Sequence, residues 1–152
     1  MKALTLAAAL AGTALLAGCA GSPVVETAAV SAPRTADAPA AAALISRHRA
    51  AHGLGPVRVD SRLTAAAAHQ ALAVARAGTL SHGDFAARMA SYGIHDAAAE
   101  NLSMGSGTVE AVIARWQASP GHNANLLAPE YGRIGLARVD SGRPYWTLVL
   151  AR

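Results

Sequence analysis

The sequence predicts an α+β layered domain, and two observations carry that reading. Segments with helical apolar spacing fill the chain from about residue 40 to residue 118, and two strand-like runs around a turn signal close it. Residues 40–152 suffice for one hydrophobic core and are too few for two. There is no internal repeat.

The first helix is expected over Leu44–His52, where Gly53 stops it and Gly-Leu-Gly-Pro cannot continue it. A second helix should start with Asp60 or Ser61 as N-cap and run to Gly78. At 100° per residue, Leu63, Ala67, Gln70, Ala71 and Val74 share one stripe, with Arg62, His69 and Arg76 opposite. His69 is therefore expected in solvent. Phe85–Tyr92 reads as a third helix ended by Gly93. Thr108–Ala118 reads as a fourth, with Val109, Val112, Ile113 and Trp116 on its buried face and Pro120-Gly121 closing it, Gly121 in a positive-φ cap. Arg133–Val139 and Tyr145–Leu150 flank Asp140-Ser141-Gly142-Arg143, a hairpin signal. Both tryptophans are expected in the core.

At the other end, Lys2 precedes an apolar run from Ala3 to Leu16 that is too short for a membrane-spanning helix and has the form of a secretory signal. Leu16-Ala17-Gly18-Cys19 resembles the bacterial lipobox. That resemblance implies a signal peptide over residues 1–18, cleavage before Cys19 and acylation of its thiol. Several acyl chains anchor stably, since each buried methylene contributes about 0.8 kcal/mol. The expected location is the cell envelope, and, because Ala20 rather than Asp follows the cysteine, the outer membrane in a two-membrane cell.

Residues 19–40, rich in Ala, Ser, Thr and Pro, read as a semi-extended tether that the domain does not need in order to fold. Cys19 is the sole cysteine, so the domain holds no internal disulfide and relies on packing. The formal charge of +4 falls to +3 once Lys2 is removed, and no dense basic run exists, which excludes a nucleic-acid partner.

Four blocks together resemble the CAP superfamily (cysteine-rich secretory proteins, antigen 5, pathogenesis-related proteins) in its bacterial extracellular branch. The first is Arg49-x-x-x-Gly53-Leu54 with Leu63-x-x-Ala66-Ala67-x-x-Gln70-Ala71-x-x-Val74-Ala75 and Leu80-Ser81-His82. The second is Phe85-x-x-Arg88, Gly93 and Glu100-Asn101-Leu102. The third is Trp116-x-x-Ser119-Pro120-Gly121-His122-x-x-Asn125-Leu126-Leu127 with Pro129 and Tyr131. The fourth is Ile134-Gly135-Leu136 and Tyr145-Trp146-Thr147. Their order and spacing cover nearly all of the chain from Leu44 onward. The resemblance implies a CAP domain over residues 41–152, an α-β-α sandwich with a central antiparallel sheet. Ser46 and Asn123 depart from the family's usual Asn and Arg, and the disulfides of its eukaryotic branches are absent.

The resemblance also implies a cleft lined by His82, Glu100 and His122, with Ser119 in the family's second acidic position. Two neutral imidazoles can hold a divalent ion such as zinc, and a nearby carboxylate can orient or deprotonate a metal-bound water. Catalytic zinc sites normally use three protein ligands, so two histidines imply weak, exchangeable binding. The competing reading is structural: His82 and His122 knit Glu100 and Asn101 into the fold. His48, His52 and His95 have no matching partner in the sequence. Ser119 or Ser103 as a nucleophile would need an adjacent base, and no strained nucleophile turn surrounds either.

Three functions stay open. The first is a lipid-anchored envelope module that binds a ligand in the cleft. The second is a metal-dependent hydrolase of envelope peptide or lipid with Glu100 as general base. The third is carriage of an apolar ligand, for which a chain only 4% aromatic offers little lining.

Overall fold

In a computed structural model, which describes residues 28–152, the first regular element is α1, Ala38–Ala50. It starts earlier than the sequence suggests. Pro39 falls in the first turn, where the missing N–H would have no partner anyway, and the alanines that follow favour helix. The signal segment 1–18, Cys19 and the tether up to residue 27 lie outside the described residues. The rest of the expected tether is joined to the domain. The Ser31 N–H donates to Asp140 at 2.8 Å, and Arg34 exchanges backbone hydrogen bonds with Arg138 at 2.7 and 2.8 Å.

The long helix α2, Ser61–Ala77, matches its expected limits. The Asp60 carboxylate accepts from the N–H groups of Arg62 and Leu63, and Gly78 ends the helix with a left-handed φ of 68°. Leu63, Ala67, Gln70, Ala71 and Val74 are buried, whereas Arg62, His69 and Arg76 are exposed. Helix α3 is Phe85–Ser91 and α4 is Val109–Gln117, capped by the side chains of Asp84 and Thr108. Val109, Val112, Ile113 and Trp116 form the buried face of α4 as expected.

Pro120-Gly121 does not close α4. Pro120 instead opens a further helix, α5, Pro120–Leu127, because a proline at the first helical position has no N–H to leave unpaired. Gly121 therefore lies inside a helix, has no positive φ, and meets no neighbour with an added Cβ.

The sheet has four strands in the order β1-β3-β4-β2: β1 Arg58–Val59, β2 Ala98–Met104, β3 Arg133–Asp140 and β4 Pro144–Ala151. The hairpin of β3 and β4 was legible in the sequence, and β1, parallel to β3, and β2, antiparallel to β4, were not. Ile134, Leu136, Trp146, Leu148 and Leu150 face α1, α4 and α5. Ala137, Val139, Tyr145, Val149 and Ala151 face α2 and α3. The result is the α-β-α sandwich expected from the resemblance. Both tryptophans are fully buried in it. Among the described residues no helix is long and apolar enough to cross a membrane.

Candidate functional site

Strand β2 is the edge of the sheet, and successive residues on a strand point to opposite faces. Glu100 therefore turns toward α2 and α3, while Asn101 turns toward α5. Each fixes one of the two segments that carry the predicted histidines. Glu100 accepts from His82 Nδ1 at 2.8 Å, and Asn101 Nδ2 donates to the His122 carbonyl at 3.1 Å. Asn125 Nδ2 donates to Asn101 Oδ1 at 2.8 Å, so the buried amide of Asn101 is engaged at both ends.

The edge itself lies between these segments. The Gly105 N–H donates to Pro144 at 2.8 Å and the Arg152 N–H to Ala97 at 3.1 Å, so odd-numbered β2 residues turn their main chain toward β4. The main chain of the even-numbered residues, Glu100 included, turns outward. Trp116 Nε1 and Arg115 Nη1 donate to the outward carbonyls of Leu102 and Met104, each at 3.2 Å. Helix α4 thus covers the later half of the edge and leaves the half at Glu100 between the two histidine segments.

Glu100 is the most enclosed member. Its side chain is 1% exposed, and its second oxygen accepts from Arg88 Nη2 at 2.5 Å. Arg88, itself 7% exposed, also donates through Nη1 to Gln70 Oε1 at 2.6 Å and to the His82 carbonyl at 3.1 Å. Gln70 in turn donates to the Ser81 carbonyl. One buried cation thus ties α2, α3, the loop carrying His82 and strand β2 together. Both Glu100 oxygens are engaged, and the carboxylate holds His82 through its Nδ1.

His82 is 58% exposed. An ionised carboxylate only accepts, so Nδ1 of His82 donates this bond, and in the neutral ring Nε2 is then the nitrogen with the lone pair. On the other side, His122 Nδ1 lies 2.9 Å from Ser119 Oγ, and Ser119 stands at the N-cap of α5. Burial holds the His122 pKa below its ordinary value. A positive charge on His82 or Arg115 acts in the same direction.

Ser119 and His122 form a hydroxyl–imidazole contact, but among the described residues no carboxylate holds the second nitrogen of His122. The oriented base of a serine triad is missing. Ser103 is buried in β2 with its hydroxyl unpartnered. No group of three or more His, Cys, Asp or Glu side chains that could hold a metal occurs among the described residues.

Arg88, Asn101 and Asn125 do the positioning; sequence reasoning gave Arg88 and Asn125 no role and read Asn101 only as a residue that the histidines tie into the fold. The available signal was a charged residue one position from Met89, on what becomes the buried side of a short helix. Arg49 is a second case. It is 2% exposed on α1 and donates through Nη1 to the carbonyls of Leu126 and Ala128, both at 2.9 Å, which caps the C-terminal end of α5. The two departures from the family pattern also find partners. Ser46 Oγ lies 3.1 Å from the Val57 N–H, and Asn123 Oδ1 lies 2.8 Å from His48 Nε2. His52 and His95 are exposed.

Residues 42–150 match the family model described as CAP, the cysteine-rich secretory protein family, and the chain belongs to that family. It is 32% identical over 110 residues to the uncharacterized protein YkwD of Bacillus subtilis, a match covering 68% of this chain and 42% of that relative. The chain therefore spans less than half the length of that protein. Among solved structures, an outer surface protein of Borrelia burgdorferi superposes with a TM-score of 0.69 at 20% identity, over 76% of this chain and 92% of that one. An extracellular protein containing a SCP domain from Bacillus anthracis gives a TM-score of 0.69 at 21% identity, over 75% and 39% of the two chains. A cysteine-rich secretory protein of Staphylococcus aureus gives 0.64 at 19% identity, over 74% and 37%. At these identities the structural likeness shows the fold.

Proposed function

We propose that this chain is a lipid-anchored envelope protein whose CAP domain is a binding module, with His82 and His122 able to share a weakly held divalent ion at the mouth of a ligand cleft. The observation that carries the reading is the orientation of His82. A carboxylate fixes its Nδ1 and leaves Nε2 exposed, the arrangement that commonly supports a metal-bound imidazole. His122, whose pKa burial holds below the ordinary value, lies on the segment that Asn101, the strand neighbour of Glu100, holds from the other face.

Two protein ligands without a third imply a readily exchanged ion such as zinc. An ion bound there would supply a Lewis-acidic point for an anionic or carbonyl group of the ligand. The hydrolase alternative asks Glu100 to act as general base, and the two hydrogen bonds on its carboxylate speak against it. Anchoring through Cys19 rests on the lipobox-like Leu16-Ala17-Gly18-Cys19, and an envelope location agrees with the outer-surface and extracellular descriptions of the structural relatives.

Titration calorimetry with zinc at neutral pH tests the cleft. Wild type should bind one ion with a dissociation constant in the micromolar range or weaker, and His82→Ala should lose at least about tenfold in affinity. Equal binding by His82→Ala and wild type would remove the metal from the proposal.

A further inference from the structure

At the hairpin end of the sheet, residues 28–30 run into an open cavity of about 670 Å³ between the end of α2 and the β3–β4 turn. Arg76 and Arg143 line it from opposite sides, together with Ser141 and Tyr145. Both arginines are exposed, and neither is in an ion pair among the described residues. Asp140, the acid in the turn, is already paired with Arg34 at 3.6 Å and Arg138 at 2.8 Å. Glu110, in the first turn of α4, does not line the cavity.

From this we infer that the cavity end of the domain is its membrane-facing surface, and that Arg76 and Arg143 take the phosphate of an anionic phospholipid headgroup there. The inference rests on the lipid-anchor part of the proposed function. The length of chain between anchor and domain gives it force. Eight residues, 20–27, separate Cys19 from Ala28, and at full extension the nine backbone steps reach about 30 Å.

The strands of the hairpin are eight residues long, so the opposite end of the sheet lies a further 27 Å or so away. The point where the described chain enters the domain is thus tethered within about 30 Å of the bilayer, and the far end has no such tie. The two arginines, which have no acidic partner among the described residues, stand beside that entry. A guanidinium matches a phosphate oxygen pair, and each arginine near an anionic leaflet adds attraction that salt screens. The segments carrying His82 and His122 lie along the side edge of the sheet at β2, so end-on docking leaves them uncovered.

The test uses the full lipidated chain in vesicles containing lipid with a headgroup nitroxide, a short-range quencher. A fluorophore is placed on Thr79→Cys, beside the cavity, or on Ala97→Cys, at the far end of the sheet, Cys19 being acylated. In phosphatidylglycerol-containing vesicles at low salt, quenching at residue 79 should exceed that at residue 97 by about threefold or more. The ratio should fall toward one in pure phosphatidylcholine and in the double variant Arg76→Glu, Arg143→Glu. A ratio that stays high in both overturns headgroup binding while the anchor stands. Equal quenching at the two positions in wild type also overturns it. Absence of quenching at either position in every vesicle means the chain is not anchored, and both the anchor and this inference fall together.

Discussion

Replacing Glu100 by leucine separates the two roles a cleft carboxylate can have. The substitution leaves the Arg88 guanidinium, only 7% exposed, with the Gln70 and His82 oxygens but without a counter-charge. Breaking a buried pair by removing one partner typically costs about 3–5 kcal/mol, because a buried charge is left uncompensated. The lost bond to His82 adds little, under about 1 kcal/mol, since that imidazole is 58% exposed. For a domain of this size the sum lowers Tm by roughly 10–20 °C. The double variant Arg88→Met, Glu100→Leu removes both charges and fills similar volume, so it should regain at least about half of the loss.

Thermal and urea unfolding followed by circular dichroism read both numbers, and zinc titration of the double variant adds a third. Without its carboxylate His82 is no longer oriented, and affinity should drop about 10–100-fold even where the fold is restored. A Glu100→Leu protein within about 1 kcal/mol of wild type would refute the buried-pair account. So would a double variant no more stable than the single one.

Gly135 packs directly under α2, where an added Cβ would lie 2.1 Å from Leu63 C and Thr64 N. Gly135→Ala must push a helix backbone away and should cost about 3 kcal/mol or more; an unchanged melting temperature would mean the layers are not so close. The His122 ring should titrate by NMR with a midpoint below 6.5. Because the folded value is the lower one, its contribution to stability is complete above about pH 6.5 and is lost as pH falls through the folded pKa, and a midpoint at or above 6.5 would contradict the burial that causes the shift. A chain starting at Leu44 lacks the first turns of α1, including Ala38 and Ala41, which are 2% and 0% exposed, and the pairing of Ser31 and Arg34 with β3. It should melt several degrees below one starting at Ala28, and equal melting would return residues 28–40 to the role of a tether.

Much of this domain could be read residue by residue because the signals are local. Asp60 and Gly78 bound α2 through hydrogen bonds and a backbone conformation that belong to those residues and their immediate neighbours. The α4 stripe and the β3–β4 turn are legible for the same reason: periodicity and turn chemistry need no distant partner. Pro120 misled because the same residue both ends one helix and begins the next, and only the space above β2 decides that α5 follows.

Strand β2 shows the other limit. Ala98-Ala99-Glu100-Asn101 has no alternating apolar pattern, and it is a strand because β4 supplies its hydrogen-bond ladder. The sequence by itself, through its resemblance to a family, named His82, Glu100, His122 and Ser119 as residues of one cleft. Only the tertiary structure decided that Glu100 is held by Arg88, that Asn101 pins α5 from the opposite face, and that these two neighbours on one edge strand tie down the two histidine segments. The physical reason is that burial and charge pairing join residues far apart in the chain, and no local rule of spacing carries that information.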